Sequence, residues 1–168
     1  RRGLGAEADA VADTWIRRYL DHFQERPYVT AARVRRVLQP LAQRYLDCLV
    51  RMDMNQFAEE LEKSARVFFE LSTPFEEVLL CVHFFREACM AHLAKSSPEP
   101  LSREIVSAFE ELAQFGSSVM ALAYFKDVQR QWELKTAEAR EENDVMRRQI
   151  EVLERDLFSI SSKKFSEL

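Results

Sequence analysis

The three histidines of this sequence are candidates for ligating a metal ion or a haem iron. They are His22, His83 and His92, and the last two are nine residues apart in one apolar, helical stretch. A metal-binding pair on a helix needs a spacing of three or four residues, whereas nine residues place two side chains on nearly opposite faces. The sequence therefore predicts no metal site. A haem iron needs only one histidine in an apolar helix, so His83 and His92 are the candidates for a haem ligand.

A structural role for these two histidines is the favoured alternative. Glu87 follows His83 by four residues, so a surface pair one helical turn apart is expected. His92 is expected to end its helix, where a positive charge is favourable. We therefore expect a chain without a cofactor, and haem is the alternative.

The cysteines and carboxylates lack the spacing that catalysis requires. Cys48, Cys81 and Cys89 lie in apolar helical sequence without a CxxC pair, and Cys81 and Cys89 are about 12 Å apart along a helix, too far for a disulfide. We expect buried free thiols in a reducing cytosol. The sequence has 3 glycines and no glycine-rich phosphate loop, and no two carboxylates are isolated in an apolar setting for acid and base catalysis. We expect no enzymatic activity.

Charge and hydropathy exclude two classes of partner. The sequence has 24 Lys and Arg residues against 28 Asp and Glu residues, and the two signs are interspersed, so no basic surface is available for a nucleic-acid backbone. No apolar run reaches the roughly 20 residues of a membrane span. We expect a soluble, cytoplasmic protein that binds neither nucleic acid nor a membrane. Because the sequence opens with Arg1-Arg2 and stops at Leu168 in charged helical text, we also expect a fragment of a longer protein.

The elements that must position these side chains are helices. Glycine and proline are scarce, at 3 and 5 residues, and 47% of the residues are hydrophobic, which favours an all-α fold. Apolar residues at helical spacing predict a bundle of four to five helices whose last helix extends into a parallel coiled coil. The expected helices cover residues 6–23, residues 31–52 with a kink or a split at Pro40, a third stretch capped by Asn55, a fourth opened by Thr73-Pro74-Phe75-Glu76, and a fifth capped by Ser102.

Three of these helices carry more specific expectations. In the third helix, the charged residues from Glu59 to Lys63 are expected in solvent. The fourth helix is expected to begin with a capping hydroxyl from Thr73, a proline, Pro74, at the first helical position and a glutamate, Glu76, that reaches back to the cap. The fifth helix is expected to carry these apolar residues: Ile105, Phe109, Leu112 and Val119.

From Leu122 onward the apolar spacing alternates between three and four residues, which is the heptad pattern of a coiled coil. Asn143 falls at an a position of that heptad, where a single polar residue favours a parallel, two-stranded pairing. We name the heptad a and d residues the seam, and they are Leu122, Phe125, Gln129, Trp132, Thr136, Ala139, Asn143, Met146, Ile150, Leu153, Leu157 and Ile160.

The seam predicts the domain organisation and the partner. Residues 1–125 are expected to form a helical sensory bundle, and residues 126–168 a coiled-coil linker to a C-terminal output domain. Because a solitary helix leaves the seam in water, we predict a homodimer that pairs through it. The alternative is that this segment folds back along its own bundle as an antiparallel helix. A pocket is predicted at Phe68, Phe69, Phe84 and Phe85, with core packing as the alternative role of those rings.

Four segments form a pattern of helix starts and core residues. They are Trp15 in the first helix, Leu49-Val50-Arg51-Met52-Asp53 before Phe57, Thr73-Pro74-Phe75-Glu76-Glu77-Val78-Leu79, and Phe85-Arg86-Glu87-Ala88 followed by Leu93. Together they resemble the N-terminal domain of RsbR-type co-antagonists, over about Ala6 to Phe125. That family comprises helical input domains of bacterial stressosome and signalling proteins, which are usually fused to an output domain.

The resemblance implies a non-catalytic sensory domain that dimerises and relays a signal through a coiled coil. The chain departs from the family pattern in its longer heptad extension and in having no STAS-like output domain among its residues. The segment 155–168 is similar to linkers that precede diguanylate cyclase or histidine kinase domains. Two alternative functions are a globin-like haem sensor and a purely structural dimerisation adaptor.

Overall fold

The computed structural model describes residues 8–27 and 29–166, and the side chains of residues 8–27 and 29–156. Within these ranges the chain forms five α-helices and no β-strand, which confirms the all-α prediction. The helices are α1 (Ala8–Phe23), α2 (Ala31–Arg51), α3 (Met54–Glu70), α4 (Phe75–Ser96) and α5 (Arg103–Ser166). The predicted long final helix is also confirmed, because α5 has 64 residues.

The chain divides into two compact units, Arg1–Asp127 and Val128–Leu168. The first unit holds α1 to α4 and residues 103–127 of α5, and we name it the bundle unit. The second holds the rest of α5, and we name it the C-terminal unit. In the part of the chain that the structure describes, no helix is both long enough and apolar enough to cross a membrane.

The turn between α2 and α3 is set by two residues. Met52 adopts the left-handed conformation with φ 58° and donates its backbone N–H to carbonyls of the last turn of α2. Asp53 then caps α3 by accepting the backbone N–H of Gln56 at 2.9 Å. The predicted cap at Asn55 is therefore wrong by two residues, because an aspartate, which caps equally well, stands at the residue where the turn ends.

The start of α4 also differs from the prediction. The helix begins at Phe75, and Pro74 precedes it without any side-chain cap. The carbonyl of Pro74 accepts the backbone N–H of Glu77. Thr73 is buried, and its carbonyl accepts the hydroxyl of Tyr124 at 3.1 Å, so a tertiary contact holds the residue that was expected to cap. The predicted capping box of Thr73 and Glu76 is wrong.

Two other expectations concern single helices. Helix α2 runs without interruption through Pro40, so the predicted split is wrong. Pro40 is exposed, and water can bond the carbonyl that a proline leaves unpaired inside a helix. At the start of α5, the hydroxyl of Ser102 accepts the backbone N–H of Ile105 at 3.4 Å, which confirms the predicted cap.

Trp15 joins three helices at the centre of the bundle unit. Its side chain is 1% exposed, and its indole Nε1–H donates to the carbonyl of Cys81 in α4 at 2.8 Å. Its ring centroid lies 6.0 Å from that of Tyr45 in α2 and 5.0 Å from that of Phe85 in α4. A large aromatic residue with its polar N–H satisfied contributes apolar burial at no hydrogen-bond cost. Trp15 therefore fastens α1 to both α2 and α4.

Helix α5 contacts this core through a glycine. A Cβ at Gly116 would lie 3.0 Å from Val82 Cγ1 in α4 and 3.6 Å from Leu61 Cδ1 in α3, so the glycine permits a close approach of the three helices. Its neighbours Ala113 and Met120, three and four residues away, are buried as well. The apolar residues that the sequence places on this helix are covered to different degrees. Ile105 is 40% exposed, while Phe109, Leu112 and Val119 are half-buried against the core.

Candidate functional site

The apolar residues of the seam are exposed to solvent. The described ones are between 54% and 70% exposed: Leu122, Phe125, Trp132, Met146, Ile150 and Leu153. The small and polar seam residues Gln129, Thr136, Ala139 and Asn143 are exposed too. Leu157 and Ile160 lie outside the residues whose side chains the structure describes. The seam is the longest row of regularly spaced apolar residues that the sequence predicts, and its described apolar members are exposed. We therefore take it as the principal candidate for a functional surface.

Two polar a residues of the seam form hydrogen bonds within their own helix. The hydroxyl of Thr136 donates to the carbonyl of Trp132 at 2.8 Å, and the amide of Gln129 donates to Glu133 Oε1 at 2.9 Å. Both bonds join residues four apart, so they do not require a partner. Satisfied polar groups cost less to cover than unsatisfied ones, and these two residues are therefore compatible with a paired helix.

Two exposed valines of the C-terminal unit lie beside the seam and were not predicted. Val145 is 46% exposed and Val152 is 51% exposed. Both occupy heptad c positions, each directly before a seam residue at d, Met146 or Leu153. Their spacing of seven residues was the available signal. They widen the apolar strip in this part of the helix.

The histidines lie apart from one another. His83 and His92 are both half-buried on α4, whereas His22 is exposed on α1, with its ring centroid 5.3 Å from that of Phe84. The predicted pair of His83 with Glu87 is replaced by ion pairs of Glu87 with Arg18 and Arg86. A guanidinium forms strong, charge-assisted hydrogen bonds with a carboxylate.

The remaining findings on the histidines concern helix length and metal binding. Helix α4 continues to Ser96, so His92 does not end it. Among the described residues, no group of three or more His, Cys, Asp and Glu side chains is placed to hold a metal ion. A haem ligand at His83 or His92 stays an untested alternative.

The four phenylalanines of the predicted pocket have different neighbours. Phe85 packs against Trp15 and Tyr45, Phe84 against His22 and Phe23, and Phe69 against Tyr124, while Phe68 lines a small cavity. No ring contact in the described part of the chain joins these four rings to one another. Consecutive residues of a helix point about 100° apart, so two adjacent pairs diverge rather than converge. Their contacts are those of core packing.

The hollows of the bundle unit differ in size and position. The cavity beside Phe68 has a volume of about 40 Å³ and is lined by Tyr19, Val34 and Leu38 among others. That space suits a few water molecules and is well below the roughly 300 Å³ of a small-molecule site. A second hollow of about 450 Å³ is an open apolar groove, and its lining residues are Leu49, Met52, Met54, Ala108, Phe109, Glu111, Leu112 and Phe115.

Two buried carboxylates were missed by the sequence analysis. Glu77 is 1% exposed, accepts the hydroxyl of Tyr19 at 3.1 Å and lies 3.5 Å from Arg26 Nε. Glu60 was expected in solvent but is 7% exposed, because Arg44 at 3.0 Å and Lys63 at 2.8 Å neutralise it. Buried carboxylates are tolerated when they are paired and hydrogen-bonded, so both glutamates have a structural explanation.

The three cysteines are buried free thiols, as predicted. Burial raises the pKa of the Cys89 thiol to about 12. Burial also raises the pKa of the Cys81 thiol well above the ordinary value of a thiol. The pKa of Cys48 is also raised by burial. Since the thiolate is the reactive form, these side chains are poor nucleophiles at neutral pH.

Comparison with known proteins gives no relative for the chain. No family model, no curated protein and no solved structure matches the sequence. The resemblance to the RsbR-type domain is consequently a prediction, and it rests on the residues quoted for it.

Proposed function

We propose that this chain is a sensory or regulatory input module of a cytoplasmic bacterial signal-transduction protein of the RsbR type. In this proposal two copies pair in parallel through the seam, and the coiled coil relays a signal to a C-terminal output domain. The observation that carries the proposal is the set of six apolar seam residues that are 54% to 70% exposed at heptad spacing on one helix. Covering each such side chain is worth roughly 1.5 to 3 kcal/mol, so pairing is strongly favourable.

The polar a residues support a switchable pairing. Gln129, Thr136 and Asn143 occupy three successive a positions. Polar residues at a specify the register of a two-stranded coiled coil and lower its stability. Two packings of such a seam differ by only a few kcal/mol, which is the property that a relay element needs. A seam built only from leucine and isoleucine would resist such a change.

The buried groups of the bundle unit support a regulatory role over a catalytic one. Glu60 and Glu77 are engaged by basic or hydroxyl partners, and the thiols of Cys81 and Cys89 are protonated at neutral pH. None of them is an exposed reactive group. A module whose prominent exposed feature is a helix seam is suited to assembly and relay.

The pairing is tested by engineered disulfides in the full chain, because the native thiols are buried. Asn143→Cys places a thiol at a seam a position, and Glu141→Cys places one at an f position on the far side of the helix. We expect rapid oxidative cross-linking of Asn143→Cys and little of Glu141→Cys, together with a native mass of two 19.7 kDa chains by light scattering. A native mass of one chain, or equal cross-linking of both variants, would contradict the proposal.

The relay is tested by changing the phase of the seam. The chain is fused to a diguanylate cyclase domain, and residues are inserted between Glu142 and Asn143. An insertion of seven residues keeps the heptad phase, and one of four residues rotates the downstream part of the seam. We expect cyclase activity to be kept by the first insertion and changed by the second. Cyclase activity that is the same with both insertions would favour the alternative function, a purely structural dimerisation adaptor.

A further inference from the structure

Helix α5 is apolar on two opposite sides within the bundle unit. One side packs into the core through Ala113, Gly116 and Met120. The other side carries Phe115, which is 39% exposed, and Leu122, which is 65% exposed. A helix that is apolar all round is expected to lie between two layers of protein. The core supplies one layer, and the second layer is not supplied by the described residues of this chain.

The exposed side of α5 lies next to the groove of the α2–α3 turn. Met52 is 74% exposed and Met54 is 40% exposed, and both line the 450 Å³ groove with residues 108–115 of α5. Methionine side chains adapt to irregular surfaces, which suits them to a binding face. We name the exposed apolar residues of this region the outer face, and they are Met52, Met54, Phe115, Leu122 and Phe125.

We propose that the outer face binds the same face of a second copy, so that the two bundle units contact each other directly. This inference rests on the proposed function, because it takes the same parallel pair as its partner. It adds that pairing begins near Phe115 and does not depend on the C-terminal unit alone.

The heptad register supports a second copy as the occupant. Phe115 and Leu122 precede Gln129 by fourteen and seven residues, so both fall at a positions of the seam register. In a parallel pair, each a residue meets its own symmetry mate. Phe115 and Leu122 therefore share the heptad register of the residues that are proposed to pair in the C-terminal unit.

The charge of the outer face also supports self-association. A two-fold interface brings every residue near the axis against its own copy, so a charge there would face a like charge. Of the four e and g positions that flank Leu122 in the heptad, three are apolar, namely Val119, Ala121 and Val128, and the fourth is Lys126. Glu111 is the one charged residue that lines the groove. By contrast, the flanking positions of the C-terminal seam are largely charged, as with Glu133, Lys135 and Arg140. The outer face is thus suited to a copy of itself.

The apolar area is sufficient for a dimer. If each free side chain presents about 150 to 200 Å², the exposed fractions of the five outer-face residues amount to about 400 to 550 Å². A standard interface buries about 800 Å² per partner, of which roughly 60% is apolar. The outer face alone therefore supplies about the apolar area that a stable interface uses.

The inference is tested by disulfides at the outer face of the full chain. Phe115→Cys and Leu122→Cys place thiols at the two a positions, and Glu62→Cys on an exposed part of α3 is the control. The two a variants are expected to cross-link as rapidly as Asn143→Cys, and the control much more slowly, with unchanged helicity by circular dichroism. Leu122→Glu is expected to weaken the dimer at least about tenfold, since it opposes two carboxylates.

The outcomes separate this inference from the proposed function. Leu122 belongs to both surfaces, so Phe115→Cys is the variant that separates them. Cross-linking of Asn143→Cys without cross-linking at 115 overturns the outer-face contact and leaves the coiled-coil pair intact. Cross-linking at 115 without any at 143 supports the outer face and contradicts pairing through the C-terminal part of the seam. Failure at all three positions contradicts both.

Discussion

The two tryptophans of the chain stand in opposite surroundings. Trp15 is 1% exposed in the bundle unit, and Trp132 is 70% exposed in the C-terminal unit. Both belong to apolar patterns with helical spacing, and in the sequence the two patterns look equally strong. The difference shows that periodicity identifies the apolar face of a helix. Which protein segment buries that face is decided by tertiary structure. The apolar face of α1 is buried by other helices of the same chain, and the seam is proposed to be buried by a second copy.

The largest expected effect comes from removing the buried ring. Trp15→Ala removes the contacts with Tyr45 and Phe85 and the hydrogen bond to Cys81, and the resulting cavity is expected to lower the free energy of unfolding by about 3 to 5 kcal/mol. Urea unfolding, followed by circular dichroism at 222 nm, measures this change. The matched variant is Trp132→Ala.

Trp132→Ala sharpens the comparison because it separates folding from association. Its side chain contacts solvent in the single chain, so the bundle transition is expected to change by less than about 0.5 kcal/mol. The dimer is expected to dissociate at higher protein concentrations than the native protein does, because a d residue of the seam is lost. An equal loss of bundle stability in both variants would show that Trp132 is buried within its own chain.

The helix content of the fold followed from the sequence, but two of its helix caps did not. Asp53 and Asn55 are both good capping residues, and the choice between them depends on where the left-handed Met52 ends the preceding helix. Thr73 is a typical capping residue as well, yet Tyr124 from α5 holds its carbonyl. These contacts join residues far apart in sequence, so local patterns could not reveal them.

The buried carboxylates were missed for the same reason. The sequence places Glu60 in a charged run, which is typical of a solvated face. Its partner Arg44 comes from α2, and the ion pair forms only when α2 and α3 pack. The heptad pattern of the seam, in contrast, could be read from the sequence because every residue of it lies on one helix, and its pairing stays a prediction. The groove beside Met52 could not, since its two walls come from separate segments.

An intermediate effect is expected for the buried glutamate. Glu77→Ala removes the acceptor of the Tyr19 hydroxyl and the partner of Arg26, which is expected to cost about 1 to 3 kcal/mol of unfolding free energy. Glu76→Ala, one residue earlier on the same helix and exposed, is the control and is expected to cost less than about 0.5 kcal/mol. Chemical denaturation measures both. Equal losses would show that helix propensity, rather than the buried contacts, sets the effect.

The smallest effect is expected for the valines beside the seam. In a two-stranded coiled coil, c positions stay in solvent, so the double variant Val145→Gln with Val152→Gln is expected to leave the dissociation constant within about twofold of the native value. The matched variant, Met146→Gln with Leu153→Gln at the adjacent d positions, is expected to weaken the dimer strongly. Sedimentation equilibrium measures both constants. If the valine variant weakened assembly as much as the seam variant, the valines would have to be covered, which two helices cannot do. The C-terminal unit would then assemble from three or more helices, and the absolute mass of the native protein would exceed that of two chains.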